Sequence, residues 1–163
     1  MFKRNFILLL LTLTVVVVLI NSTTNSDEIK IINYSNVNDG IMLDDLKPIS
    51  KLNSNNQFVI LNIWASWCIP CQNEVTELKI LSETEGYSVI GILVEDSVEN
   101  GKEFIEKNNI SYQNILDNTV AESILIQFIW SGIPTTLVLN NNLEIISTIN
   151  GEITANEIFK LTR

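Results

Sequence analysis

The chain alternates apolar runs with polar breaks at a spacing that predicts strands and helices in turn. Phe58 to Ile63 (Phe-Val-Ile-Leu-Asn-Ile) is an apolar, β-branched run and predicts a buried strand. Val75, Leu78 and Leu81 follow at three-residue spacing, the stripe of an amphipathic helix, which Glu85-Gly86 stops. Tyr87 to Val94 predicts a second buried strand, and Glu95-Asp96-Ser97 caps a helix near Val98 to Asn108 with Phe104 and Ile105 as its apolar positions. Ile110 to Leu116 is a weaker strand, and Asp117-Asn118-Thr119 offers an N-cap to a helix from Val120 to about Phe128. Thr136 to Leu139 and Glu144 to Ile149 predict two strands across an Asn140-Asn141-Asn142 hairpin turn. Gly151 breaks the pattern, and Thr154 caps a last helix. Ahead of all this, Ile29 to Tyr34 reads as a short edge strand, Asn38-Asp39-Gly40 as a turn and Lys51 to Gln57 as a polar loop. Strands alternating with helices and closing on a hairpin predict an α/β class fold, a mixed sheet flanked by helices.

The N-terminus follows a different pattern. Lys3 and Arg4 precede an apolar run from Phe6 to Ile20, which predicts a hydrophobic helix acting as a signal anchor or a signal peptide. The run is shorter than the roughly 20 residues of a full span, and no small-x-small cleavage site stands out after it. The positive charges place residues 1–5 in the cytoplasm and the rest on the outer, periplasmic or extracytoplasmic side of the cell membrane. The expected organisation is a signal segment at 1–21, a linker with the edge strand at 22–35, and a single domain at 36–163.

Composition narrows the chemistry. The net charge is −9, with 10 basic and 19 acidic residues, so no basic surface for nucleic acid is expected. There are 2 Cys and no His. That excludes a Cys-His or Ser-His catalytic pair and leaves too few ligands for a structural zinc site. No cofactor or metal is expected beyond a redox-active disulfide.

The two thiols, Cys68 and Cys71, lie in Trp64-Ala65-Ser66-Trp67-Cys68-Ile69-Pro70-Cys71, at the junction of the first strong strand and its helix. A helix start carries unsatisfied N–H groups and the positive end of the dipole, which lower a thiol's pKa. Cys71 is one turn on and can close a disulfide with Cys68, while Pro70 fits a first helical turn. Cys68 is therefore the expected attacking thiol and Cys71 the resolving one. Trp64 and Trp67 are expected to shield the pair from water.

Trp67-Cys68-Ile69-Pro70-Cys71 resembles a thioredoxin-superfamily active site. The longer string from Leu61 to Cys71, with Glu74 after it, is similar to the membrane-tethered thiol:disulfide oxidoreductases of cytochrome c maturation, the TlpA, ResA and CcmG/DsbE types. Gly132-Ile133-Pro134-Thr135-Thr136 resembles the family's cis-proline loop. The resemblance implies a thioredoxin-like fold with an extra βα insertion at roughly Glu95 to Leu116. It implies a cis bond before Pro134, with Ile133 and Pro134, alongside Trp67, contacting the substrate. It also implies protein thiol/disulfide substrates, apocytochrome c among them, and a membrane reductant donor of the DsbD or CcdA type. Leu43-Asp44-Asp45-Leu46 resembles the short docking segment before the central strand.

Asn62 departs from the buried Asp that ordinary thioredoxins use for proton transfer, because an amide cannot accept the proton. Glu74 is the first candidate to assist Cys71 in its place, similar to a carboxylate of the ResA type. The bland alternative is an exposed Glu favouring the helix dipole. Glu77 and the Glu95-Asp96 pair are further candidates, and Trp130 either lines a substrate groove or covers the core. Two other functions fit the same residues: a general periplasmic disulfide oxidant or isomerase, and a non-catalytic module binding metal or thiol proteins. Trp-Ala-Ser-Trp-Cys does not supply the Thr-x-x-Cys context of a peroxidatic cysteine.

Overall fold

Phe58–Trp64 forms strand β1, and every residue from Val59 onward is buried. A strand this apolar needs cover on both faces, and the chain supplies it. The computed structural model of the protein describes residues 38–46 and 57–163. The N-terminal apolar run, the edge strand at 29–34, the linker at 22–35 and most of the polar loop at 51–57 lie outside the described residues.

After β1 come helices α1 (Ile69–Asn73) and α2 (Val75–Glu83), strand β2 (Tyr87–Leu93), helix α3 (Val98–Lys107), strand β3 (Gln113–Ile115) and helix α4 (Asn118–Leu125). Strands β4 (Thr135–Asn140) and β5 (Ile145–Asn150) and helix α5 (Ala155–Leu161) complete the described chain, with a 3-10 turn at Asp44–Leu46 ahead of β1. The five strands lie in the order β3-β2-β1-β4-β5. β1 pairs parallel with β2 and antiparallel with β4. β3 joins β2 in parallel, and β5 joins β4 in antiparallel. The sheet is mixed, as the pattern predicts, with β1 at its centre.

The period of two sorts β1 between two cores. Val59, Leu61 and Ile63 pack with Leu43, Leu46, Ala121, Ile124 and Leu137 on one face. Ile60 packs with Leu78, Leu81, Val138, Ala155 and Ile158 on the other. Asn62 and Trp64 share the Ile60 face, on the way to the C-terminal end of β1 where the cysteines sit.

Most boundaries fall close to their predicted positions, and the exceptions have local causes. The predicted single helix after Cys71 is two, divided at Glu74, which both ends α1 and starts α2. Glu74 donates its N–H to the Pro70 carbonyl and accepts the Leu78 N–H at 3.0 Å, so the two helices share one cap. The weak strand at 110–116 shrinks to the three residues that meet Ile90–Ile92 of β2. Helix α4 starts at Asn118 because Asp117 takes the cap, accepting the Val120 N–H at 3.0 Å. Ser97 and Thr154 cap α3 and α5 as expected, and Thr154 closes a reciprocal capping box with Glu157.

Gly91 occupies a tight crossing. Trp64 on β1 donates its indole N–H to Asn114 Oδ1 on β3 at 3.0 Å, reaching over β2. A methyl group on Gly91 would stand 2.0 Å from Asn114 Oδ1 and 2.7 Å from Trp64 Nε1. Gly91→Ala is expected to break this bond and overpack the site, costing about 2–3 kcal/mol. Urea unfolding of the variant beside the wild type measures it, and an unchanged midpoint would refute the reading.

Candidate active site

β1 ends at Trp64, and the chain turns through Ala65-Ser66-Trp67 into α1. Cys68 is the N-cap of that helix, in an extended conformation, and the Cys71 N–H donates to Cys68 Sγ at 3.2 Å. Pro70 sits in the first turn, where no N–H is needed. Cys68 and Cys71 are joined in a disulfide with their Cα atoms 5.3 Å apart. The same N–H would face a thiolate at Cys68 after reduction and favour its charged form.

The pair is buried, Cys68 to 4% and Cys71 to 3% exposure, in a cluster with Trp64, Ala65 and Leu93. Phe104 packs on this cluster, its ring centroid 5.1 Å from that of Trp64. The two tryptophans therefore differ from the expected joint shield. Trp64 covers the disulfide, while Trp67 stands 56% exposed with its indole N–H bound to the Glu95 carbonyl at 3.1 Å. Ile69, between the cysteines, is also open, at 68%. Trp67 and Ile69 frame the pair on the solvent side.

The Ile133–Pro134 peptide bond is cis, and the Ile133 side chain packs on the cysteine cluster. The loop is tied down from its C-terminal side. The Pro134 carbonyl accepts the Gly151 N–H at 2.8 Å, and Thr135 Oγ1 bonds the Gly132 carbonyl and Asn150 Oδ1. Trp130 lies just ahead of the loop. It packs on the core and lines a cleft of about 270 Å³ whose other walls include Leu93, Glu95, Asp96 and Leu125.

Glu74 is 1% exposed, so it is not the surface helix-dipole residue of the alternative reading. Asn62 Nδ2 donates to Glu74 Oε1 at 2.8 Å and also to Thr136 Oγ1, while the Ile153 N–H donates to Glu74 Oε2 at 3.0 Å. Neither bond reaches a cysteine sulfur. Burial raises the Glu74 carboxyl, the Asn62 and Ile153 bonds pull it partly back, and Glu152 nearby raises it again, leaving it at about 7. A carboxyl poised there exchanges protons at neutral pH. Asn62, which cannot titrate, instead fixes the position of the group that can.

Of the other acidic candidates, Glu77 and Asp96 have structural partners for their carboxylates, while Glu95 offers its carbonyl to Trp67. Glu77 accepts the Ala155 N–H at 2.8 Å and joins α2 to the start of α5. Asp96 Oδ2 accepts both the N–H and the hydroxyl of Ser66, while Oδ1 accepts from the Ser97 N–H and Asn100 Nδ2. Desolvation acts to raise the Asp96 carboxyl, but these bonds outweigh it and hold it below the ordinary value, so it stays ionised. Asn38, read as a turn residue, is buried and pairs with both the N–H and the carbonyl of Ile129. No local pattern marks that role, because its partner is 91 residues away.

Glu74 carries a stability signature. Its folded-state carboxyl titrates near 7, above the ordinary value of 4.5. The folded protein therefore holds the proton more tightly than the unfolded chain. The resulting stability is complete below about pH 4.5 and is lost as pH rises through about 7, a change of about 3 kcal/mol. Glu74→Gln should flatten urea-derived stability across that window, and a variant that keeps the wild-type slope would show that another group is responsible.

The AhpC/TSA family pattern matches residues 15–148 of the chain. Thiol-disulfide oxidoreductase ResA of Geobacillus thermodenitrificans is 25% identical over 103 residues, covering 61% of this chain and 58% of ResA. Thiol:disulfide interchange protein HelX of Rhodobacter capsulatus is 27% identical over 101 residues, covering 62% of this chain and 56% of HelX. The match thus spans less than two thirds of either relative. The crystal structure of a secreted thiol-disulfide isomerase from Corynebacterium glutamicum superposes with a TM-score of 0.58 at 33% identity, covering 66% of this chain and 70% of that one. The strand order, the disulfide at the head of α1 and the cis-proline loop are thioredoxin-like, and the chain belongs to the AhpC/TSA family, among its relatives of the thiol-disulfide oxidoreductase kind.

Proposed function

We propose that this protein is a thiol:disulfide oxidoreductase that reduces protein disulfides outside the cytoplasm. The observation that carries the reading is the Cys68–Cys71 disulfide at the head of α1, with the Cys71 N–H on Cys68 Sγ and Ile133 packed alongside. In the reduced protein the Cys68 thiolate attacks one sulfur of a substrate disulfide. A mixed disulfide forms and the other substrate sulfur leaves as a thiolate. Cys71, deprotonated, then attacks Cys68 Sγ, expels the second substrate thiolate and closes Cys68–Cys71, so two electrons pass to the substrate. Cys68 carries the attack because its sulfur receives the N–H, and Cys71 resolves. Glu74 is the buried group one turn beyond Cys71 that takes the proton at neutral pH. Trp67, Ile133 and Pro134 form the substrate contact, where an extended peptide can add as a strand.

The resemblance to the TlpA, ResA and CcmG types supports apocytochrome c as substrate, its haem-binding cysteines being reduced before haem attachment. It also supports a membrane electron donor of the DsbD or CcdA type. Lys3, Arg4 and the apolar run to Ile20 support an N-terminal membrane anchor with the domain on the outer side. A second reading, a secreted oxidant or isomerase, draws support from the 33% identity to the Corynebacterium isomerase. The reduction potential separates them. A value near or below about −230 mV supports the reductase, and one near about −120 mV makes the protein a disulfide donor.

Cys68→Ser should lower disulfide reduction about a thousandfold or more. Cys71→Ser should still attack but stall, so that the mixed disulfide accumulates on a non-reducing gel. Glu74→Gln should slow resolution by about tenfold to a hundredfold at pH 7 with less effect at high pH, where Cys71 ionises unaided. Stopped-flow single turnovers across pH test it, and an unchanged resolution rate would remove Glu74 from the mechanism.

A further inference from the structure

Four donors of the Trp64–Trp67 turn are held by one stretch of chain, while the Ser66 carbonyl accepts from Gln72 Nε2 of α1 and the Ala65 carbonyl from the Cys68 N–H. Trp64 Nε1 donates to Asn114 Oδ1, Ser66 donates both its N–H and its hydroxyl to Asp96 Oδ2, and Trp67 Nε1 donates to the Glu95 carbonyl. The acceptor of each of the four belongs to the segment from the end of β2 to β3. Glu95 adopts φ 52, the left-handed region, which is uncommon for a non-glycine residue. That conformation accompanies a carbonyl placed on Trp67 and a next side chain placed on Ser66.

Asp96 is the centre of this grip. Each carboxylate oxygen accepts from two donors: Oδ2 from the two groups of Ser66 at the redox turn, Oδ1 from Ser97 and Asn100 at the start of α3. Bonds to an ionised acceptor are about twice as strong as neutral ones. Asparagine has the same shape, yet it must turn an NH₂ towards one of the two donor pairs, so it cannot satisfy both sides.

We propose that Asp96 is a positioning residue for the redox centre: from the segment between β2 and α3 it fixes Ser66, and so the turn that holds Cys68 against the Cys71 N–H. That segment then serves as a buttress for the reactive thiol. This rests on Cys68 being the attacking cysteine. A rigid turn keeps the Cys71 N–H aimed at the thiolate, and a loosened turn gives up part of that stabilisation.

Positioning and simple charge have opposite signs here. Asp96 acting only as a nearby negative charge would disfavour the thiolate, so its neutral variant would lower the Cys68 pKa. Asp96 acting by position stabilises the thiolate, so Asp96→Asn should raise it. The test is the pH profile of iodoacetamide alkylation of the fully reduced full-length protein, with the modified cysteine identified by mass. Asp96→Asn is expected to raise the apparent Cys68 pKa by about one, with a loss of alkylation rate at pH 7 of up to about tenfold. Ser66→Ala, which keeps the backbone bond, should shift it less, and Ser66→Thr, which restores the hydroxyl, should return it towards wild type. A lowered or unchanged pKa in a folded Asp96→Asn protein would overturn the proposal, and so would an unshifted Ser66→Ala beside an unfolded Asp96→Asn. Alkylation of Cys71 rather than Cys68 in the wild type would instead overturn the assignment of the attacking thiol, and this inference with it.

Discussion

A strand buried on both faces leaves almost no freedom in what surrounds it. β1 has neighbours on either edge and cores on either side, and apart from the Trp64 indole N–H its only polar side chain is Asn62. Burying such a group without partners costs a few kcal/mol, so Asn62 is bound to Glu74 on one side and Thr136 on the other. That requirement ties the central strand to the active-site helix and to β4, the strand that begins at the cis-proline loop. The strand's C-terminal end is thereby a fixed point, and the disulfide is built on it.

Around that point the polar residues divide by what they can give up. Asn62, Asp96 and Asn114 are bound to fixed partners and act as geometry. Glu74 also has two partners, yet burial and the neighbouring Glu152 leave it near the balance between charged and neutral. It alone among them combines a fixed position with a labile proton. Redox exchange at a buried pair needs both properties, since sulfur atoms must meet in line and protons must follow the electrons.

The sequence discloses what is local. Cys68 and Cys71 three residues apart, Pro70 between them and a β-branched run before them specify a strand-to-helix redox turn without any tertiary knowledge. The caps at Ser97, Asp117 and Thr154 are legible for the same reason, since the bond closes within three residues. Pro134 is legible as a proline, and the family likeness adds the cis bond. The clamp on the redox turn is not legible, because its bonds join residues 30 and 50 positions apart and use ordinary Asp, Ser and Asn. The division at Glu74 escapes for a related reason. Helical periodicity at Val75, Leu78 and Leu81 is intact, and only the tertiary partners of the carboxylate distinguish this turn from its neighbours. Trp64 turns inward and Trp67 outward, a difference composition does not reveal because it does not say which way an aromatic side chain points at a turn.

The stretch from Asn150 to Ile153 touches both halves of the site. Asn150 accepts from Thr135, Gly151 donates to the Pro134 carbonyl, Glu152 accepts from Asn73, and Ile153 donates to Glu74. A ribosome makes the cysteines about 80 residues before it makes this stretch, at about 5–20 residues per second. For those seconds the nascent chain carries two thiols whose helix, proline loop and buried carboxylate have no common tie. The site is therefore completed from its C-terminal side, and timing as well as geometry separates a chain that merely contains the dithiol from one that can use it.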